Sequence, residues 1–149
     1  MPYSMHRIFC AAPTALEEER LAFHDEIGAF NEQAMPHNIL FVPVTIVLNM
    51  ANLALFAPVL DDNIETCRYY VQALGESWQE ERGDFKRLFD RALDCAADPQ
   101  LPMQEVVLMS KAGVVADGAR VYQFRDLDTY RAQLRGLFSE WLESLKGQA

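Results

Sequence analysis

The sequence predicts an α/β fold with a mainly parallel sheet, and three observations carry the prediction. Short apolar runs alternate along the chain with longer segments whose apolar residues recur at helical spacing. Proline and glycine punctuate the changes between them. The run at 39–47 (ILFVPVTIV) is apolar almost throughout, as a strand covered on both faces is. Alternation of this kind places helices on both faces of one sheet.

Residues 5–11 (MHRIFCA) read as the first strand, stopped by Ala12-Pro13. Thr14 opens a helix, with Glu17 three residues later as a capping box. Leu16, Phe23, Ile27, Phe30 and Ala34 form its apolar stripe, with Glu17, Glu18, Arg20 and Glu26 mostly off it. Pro36 ends this helix. His24 sits at the stripe's edge and reads as a packed or half-exposed structural histidine. The second strand, 39–47, carries Pro43, which suits an edge position or a bulge because proline gives no ladder hydrogen bond. Residues 57–67 read as a short helix and 68–74 (RYYVQAL) as the third strand, closed by Gly75.

After a polar loop, Asp84 can cap a helix whose apolar face is Phe85, Leu88, Phe89, Ala92, Leu93 and Ala96. Residues 105–110 give a fourth strand and 120–124 a fifth, and the short link Ala112 to Ala119 leaves no room for a full crossover helix. A last helix runs from about Leu127 to Leu145, with Tyr130, Leu134, Leu137, Phe138, Trp141, Leu142 and Leu145 as its buried stripe. The expected architecture is a flavodoxin-like three-layer sandwich: a mainly parallel five-stranded sheet, order 2-1-3-4-5, with the fourth helix reduced.

The totals agree with one domain over residues 1–149: the chain has 149 residues, half of them apolar and 23% charged. A net charge of −9 with no Lys/Arg cluster argues against nucleic acid as a partner. Three cysteines in no CxxC pair argue against a disulfide framework or thiol metal site, and for reduced thiols in the cytoplasm. The histidines lack zinc spacing, and no basic region precedes an apolar stretch at the N-terminus. From Asn38 to Leu60 no residue is charged, a run long enough to span a bilayer. Pro43, Pro58, Asn49 and Asn52 oppose a membrane helix there, and the β-branched residues of 42–47 favour a strand with a turn around Asn49.

In the expected strand order the sheet reverses between the first and third strands, and ligands bind outside the carboxyl ends at such a point. Two loops should meet there, Ala11-Ala12-Pro13-Thr14 and Gly75-Glu76-Ser77-Trp78. Pro13 and Thr14 lead into a helix N-terminus that suits an anion or a ribose hydroxyl. A plain helix cap is the simpler reading of Thr14. The loop has no glycine, so it is neither a P-loop nor a dinucleotide fingerprint. For the same reason it lacks a flavin phosphate cradle, and no cofactor is indicated. The second loop offers Glu76, Ser77 and Trp78, followed by Glu80, Glu81 and Asp84. A carboxylate beside an aromatic ring can act on a ribosyl cation, as nucleophile or as general base, which makes Glu76 and Glu80 the catalytic candidates. A solvated acidic loop with Trp78 half-buried is the plainer reading. Receiver-domain chemistry fails, because no acidic pair follows the first strand.

RIFCAAPTALEEERLAF, near the N-terminus, and DDNIETCRYYVQALGESW, residues 61–78, resemble a prokaryotic family related to TIR domains and nucleoside 2-deoxyribosyltransferases. There a strand ending "I-S-S" runs into a helix marked "L-x-x-E-R", and a later strand follows "D-N-I-x-x-C". The resemblance covers roughly residues 5–125. It implies nucleotide or nucleoside binding at the switch point and, in some relatives, cleavage of an N-glycosidic bond by a glutamate on the helix after the third strand. Here that helix carries apolar residues such as Leu88, and Ala11 and Ala12 replace the Ser-Ser. Two functions follow as expectations. One is a TIR-like signalling or nucleotide-binding module that self-associates or binds a protein partner, with the charge-free stretch Leu48–Pro58 as its apolar patch. The other is an N-glycosidic-bond enzyme acting on a nucleoside or NAD-type substrate.

Overall fold

The computed structural model describes residues 2–45, 57–79 and 84–147. The apolar runs become five strands, β1 (Ser4–Ala11), β2 (Ile39–Val44), β3 (Tyr69–Leu74), β4 (Glu105–Ser110) and β5 (Arg120–Gln123). Among the described residues the helical segments become α1 (Glu17–Ala34), α2 (Ala57–Glu65), α3 (Asp84–Ala97) and α4 (Leu127–Lys146). Every neighbouring pair of strands is parallel, in the order β2-β1-β3-β4-β5. This is the flavodoxin-like arrangement that the alternation predicts.

Period-2 alternation sorts the side chains into two cores. Ile8 and Cys10 of β1 pack with α1 and α4, whereas Phe9 and Ala11 pack with α2 and α3. The central strand β3 is buried at every position. Tyr69, Val71 and Ala73 enter the first core, and Tyr70 and Leu74 the second. Pro43 lies opposite Ile8 on β2, the edge strand, where a missing ladder donor is tolerated. Only Ile39 and Phe41 of β2 are buried, so the two-sided cover expected of that strand is partial. An edge strand has one neighbour fewer to cover it. Of the apolar run from Asn38, residues 39–44 belong to the sheet, and no helix among the described residues is long and apolar enough to cross a membrane. The expected turn at Asn49 lies outside the described residues, as does the stretch Leu48–Pro58 up to residue 56.

The helix stripes fold as read, with corrections at the ends. Leu16, Phe23, Ile27, Phe30 and Ala34 are buried, and α4 buries the seven residues of its expected stripe. The capping box at Thr14 does not form. Thr14–Leu16 is a 3-10 turn entered from Pro13, α1 begins at Glu17, and neither start carries a side-chain cap bond. Asp84 is the first residue of α3 rather than a cap before it. Cys95 is buried on α3 while Ala96 is exposed, so the thiol completes that face. Asp126 does cap α4, accepting from the Thr129 amide at 2.8 Å. His24 is half-buried, its Nε2 2.7 Å from the Thr45 hydroxyl, a structural role as expected.

β4 and β5 are parallel, yet residues 111–119 join them without a helix. An extended link of that length reaches about 30 Å, against roughly 20 Å for a six-residue strand, so no helix is needed to return the chain. Gly113 (φ 75°) and Gly118 (φ 83°) take the left-handed conformations that this path requires. Val114, Ala116 and Ala119 lie against the α2/α3 core and seal it where a helix would otherwise sit.

Glu26 belongs to the buried face of α1, not to its solvent side. Arg135 of α4 donates to it through Nε and Nη2 at 2.9 and 2.8 Å, and Arg131 through Nη1 at 3.0 Å. The hydrogen bonds from Arg135 outweigh burial, Arg131 adds to them, and together they hold the Glu26 carboxyl below its ordinary value of 4.5. A depressed folded value means that the contribution is complete above the ordinary value and is lost as pH falls through the folded one. Glu26→Gln is therefore expected to cost about 1 kcal/mol at neutral pH, small because Arg135 is largely exposed. The gap between the two proteins should close as pH falls from the ordinary value through the lower, folded one. Urea unfolding across that range is the check, and a gap that widens with acid would contradict the pairing.

Candidate functional site

The site follows from the register. β1 ends with Ala11 opposite Gln72, so β1 and β3 leave the sheet side by side at one edge. β4 ends beside them, with Ser110 opposite Leu74. The Lys111 amide is shared between the Leu74 and Gly75 carbonyls, both at 3.1 Å, and the Ala112 amide donates to Gly75 at 3.0 Å. The ends of β1, β3 and β4 and the first turn of α1 thus share one rim of the molecule, the carboxyl edge, where open α/β sheets bind ligands.

The residues predicted to form the site are placed as follows. Pro13 is buried and Thr14 exposed at the entry to the 3-10 turn. Glu76 is exposed immediately after β3. Ser77 is half-buried, its hydroxyl accepting from the Gln79 amide at 3.1 Å in a local turn. Trp78 packs against α3. Its ring lies 4.8 Å from that of Phe89, and the Lys86 ammonium sits 5.4 Å above it. Trp78 is half-buried and packs against the α2/α3 core, which matches the plainer reading of this loop. Asp84 lies at the start of α3, and Glu80 and Glu81 fall outside the described residues. Leu88, which stands where the resemblance places a glutamate, is buried in the α2/α3 core.

Residues that the sequence reading passed over shape the rim. Gln72 is fully buried on β3. Its Nε2 donates to the Ala11 and Ala73 carbonyls at 3.3 and 3.1 Å, and its Oε1 accepts from the Tyr70 hydroxyl at 2.8 Å. That amide clips the end of β1 to β3 and closes the seam on the α2/α3 side. On the opposite side, Glu19 projects from the first turn of α1 and is buried, with Lys111 Nζ 3.9 Å from its Oε1. Lys111 Nζ also lies 6.0 Å from the centre of the Phe124 ring, and the Tyr130 ring packs 5.0 Å from Phe124. Burial first, and then the nearby Cys10 and Glu19, push the Tyr130 phenol well above its ordinary value. A signal for Glu19 was present in the sequence. It follows Leu16 by three residues and precedes Phe23 by four, so it occupies a position of the apolar stripe despite its charge.

The three cysteines are free and buried. Burial pushes the Cys10 thiol up to about 12, against the opposing charge of Arg20, and the Cys67 thiol up to about 11. The native protein should therefore resist a thiol reagent at neutral pH and release its three equivalents only on unfolding. Rapid labelling of the folded protein would contradict this placement.

Comparison of the chain with protein-family models, with curated proteins and with solved structures finds no match.

Proposed function

We propose that this chain is a TIR-like module that binds a nucleotide or nucleoside at the carboxyl edge of its sheet, between the ends of β1 and β3. The observation that supports it is the parallel pairing of those strands across the reversal of strand order. The resemblance of residues 61–78 to the deoxyribosyltransferase-related family points to the same class of ligand. Calorimetric titration with adenosine, 2′-deoxyadenosine, AMP and NAD tests the reading. Saturable heat with at least one of them is expected, and none with any of the four would overturn it. Self-association is the second part of this reading, motivated by the charge-free stretch Leu48–Pro58. Light scattering across a concentration series should show a dimer or larger species, and a strict monomer at high concentration counts against that part.

A second reading is cleavage of an N-glycosidic bond, favoured by the exposed carboxylate of Glu76 directly after β3. It would attack the anomeric carbon as a nucleophile, or as general base take the proton of the water that attacks it, while the C–N bond breaks and the base leaves with its electron pair. Base release from NAD or deoxynucleosides, abolished by Glu76→Gln, is the expected result under that reading. Absence of release beside an active control enzyme removes it.

A further inference from the structure

Two buried polar atoms on the α1/α4 side, Glu19 Oε2 and the Tyr130 hydroxyl, lack hydrogen bonds among the described residues, and Lys111 links them, its ammonium 3.9 Å from Glu19 and 6.0 Å from the Phe124 ring on which Tyr130 packs. Glu19 is 6% exposed and Tyr130 is fully buried. Buried polar atoms are nearly always paired, because each orphan costs about 1–3 kcal/mol. Retaining two on this side therefore calls for an explanation in what that side binds. Lys111 completes the group. Its backbone is fixed from both sides, the amide by Leu74 and Gly75 and the carbonyl by Gln123 Nε2 at 3.1 Å. Its side chain is 43% exposed and ends 3.9 Å from Glu19, longer than a hydrogen bond. The lysine ammonium thus faces the carboxylate without a hydrogen bond to it.

The chemistry of this trio selects among ligand groups. A phosphate only accepts hydrogen bonds, and it would meet Glu19 together with Glu17 and Glu18 in the same first turn, which already compensate the helix dipole. An ammonium only donates, and it would meet Lys111. A hydroxyl does both: it donates to Glu19 Oε2 and accepts from Lys111 Nζ or the Tyr130 hydroxyl. We propose that Glu19, Lys111 and Tyr130 form a hydroxyl-reading subsite that receives the sugar diol of the ligand. This rests on the nucleoside-binding reading above and adds to it the orientation: sugar toward the α1–α4 side, phosphate away from it.

The test compares adenosine with 2′,3′-dideoxyadenosine, first on the unmodified protein. Adenosine should bind about tenfold or more tighter, the worth of a hydrogen bond to a charged acceptor. In Glu19→Gln that ratio should shrink toward unity while dideoxyadenosine affinity stays unchanged. In Lys111→Met, adenosine should still bind in preference to dideoxyadenosine. Equal binding of the two nucleosides by the unmodified protein overturns the subsite and leaves the nucleoside reading intact. Binding of neither these nor the nucleotides overturns the nucleoside reading itself. Should Glu19→Gln fail to fold by circular dichroism, the ratio on the unmodified protein still decides. A ratio unchanged in a folded Glu19→Gln overturns the role of Glu19.

Discussion

Replacing Phe138 by alanine is expected to lower stability by about 3–5 kcal/mol, the usual cost of emptying a fully packed aromatic site. Phe138 is buried on α4 and is the ring on which the α1/α4 core converges. It meets Phe23 edge-on at 5.9 Å, Phe30 at 6.0 Å, Phe41 of the edge strand at 6.5 Å and Trp141 at 5.8 Å. These partners come from α1, β2 and α4, so one truncation loosens three elements at once. None can collapse into the gap freely, since Trp141 is held by a stack on Tyr69 at 3.9 Å and by a hydrogen bond to Glu105. Thermal unfolding should fall by about 10 °C, and Phe138→Leu should lose markedly less. A loss below about 1 kcal/mol in urea unfolding would mean that α4 does not dock as described.

Gln72→Leu is the second large effect, expected at about 2–4 kcal/mol, because leucine fills similar space while orphaning buried polar groups. The Tyr70 hydroxyl loses its acceptor in a fully buried position, and the Ala11 carbonyl loses its clip. The double variant with Tyr70→Phe should recover roughly 1 kcal/mol of that loss, since the orphaned hydroxyl is then gone. A double-mutant cycle measures the recovery directly. Strict additivity of the two substitutions would contradict the hydrogen bond between them. The seam between β1 and β3 is also the floor of the proposed site, so Gln72→Leu should weaken nucleoside binding even where the protein remains folded.

Much of the architecture could be read from the residue pattern because period-2 and period-3.6 burial are local properties. The α4 stripe from Tyr130 to Leu145 and the missing helix between Ala112 and Ala119 follow from spacing alone. Element ends were less legible. Thr14 with Glu17 has the letters of a capping box, yet Pro13 and a 3-10 turn set the entry to α1. The shared edge of β1 and β3 was legible in the pattern, whereas the surroundings of the loop residues were not. Sequence picked out the loops after β1 and β3, and chose Trp78 and Ser77 by chemical type. Tertiary packing sets the Trp78 ring against Phe89, and the Ser77 hydroxyl accepts from the Gln79 amide.

The residue pattern alone sets the succession of strands and helices along the chain and the two apolar faces, since each depends on neighbours a few residues apart; the pairing of β1 with β3 joins residues as far apart as Ala11 and Gln72 and follows only from the fold class. Which charged and polar residues are drawn inside depends on long-range packing. Glu26 meets Arg131 and Arg135 more than a hundred positions away, and Glu19 meets Lys111 from the end of another strand. Burial of a charge depends on what the rest of the chain brings against it, and that is fixed by the docking of helices rather than by any local period.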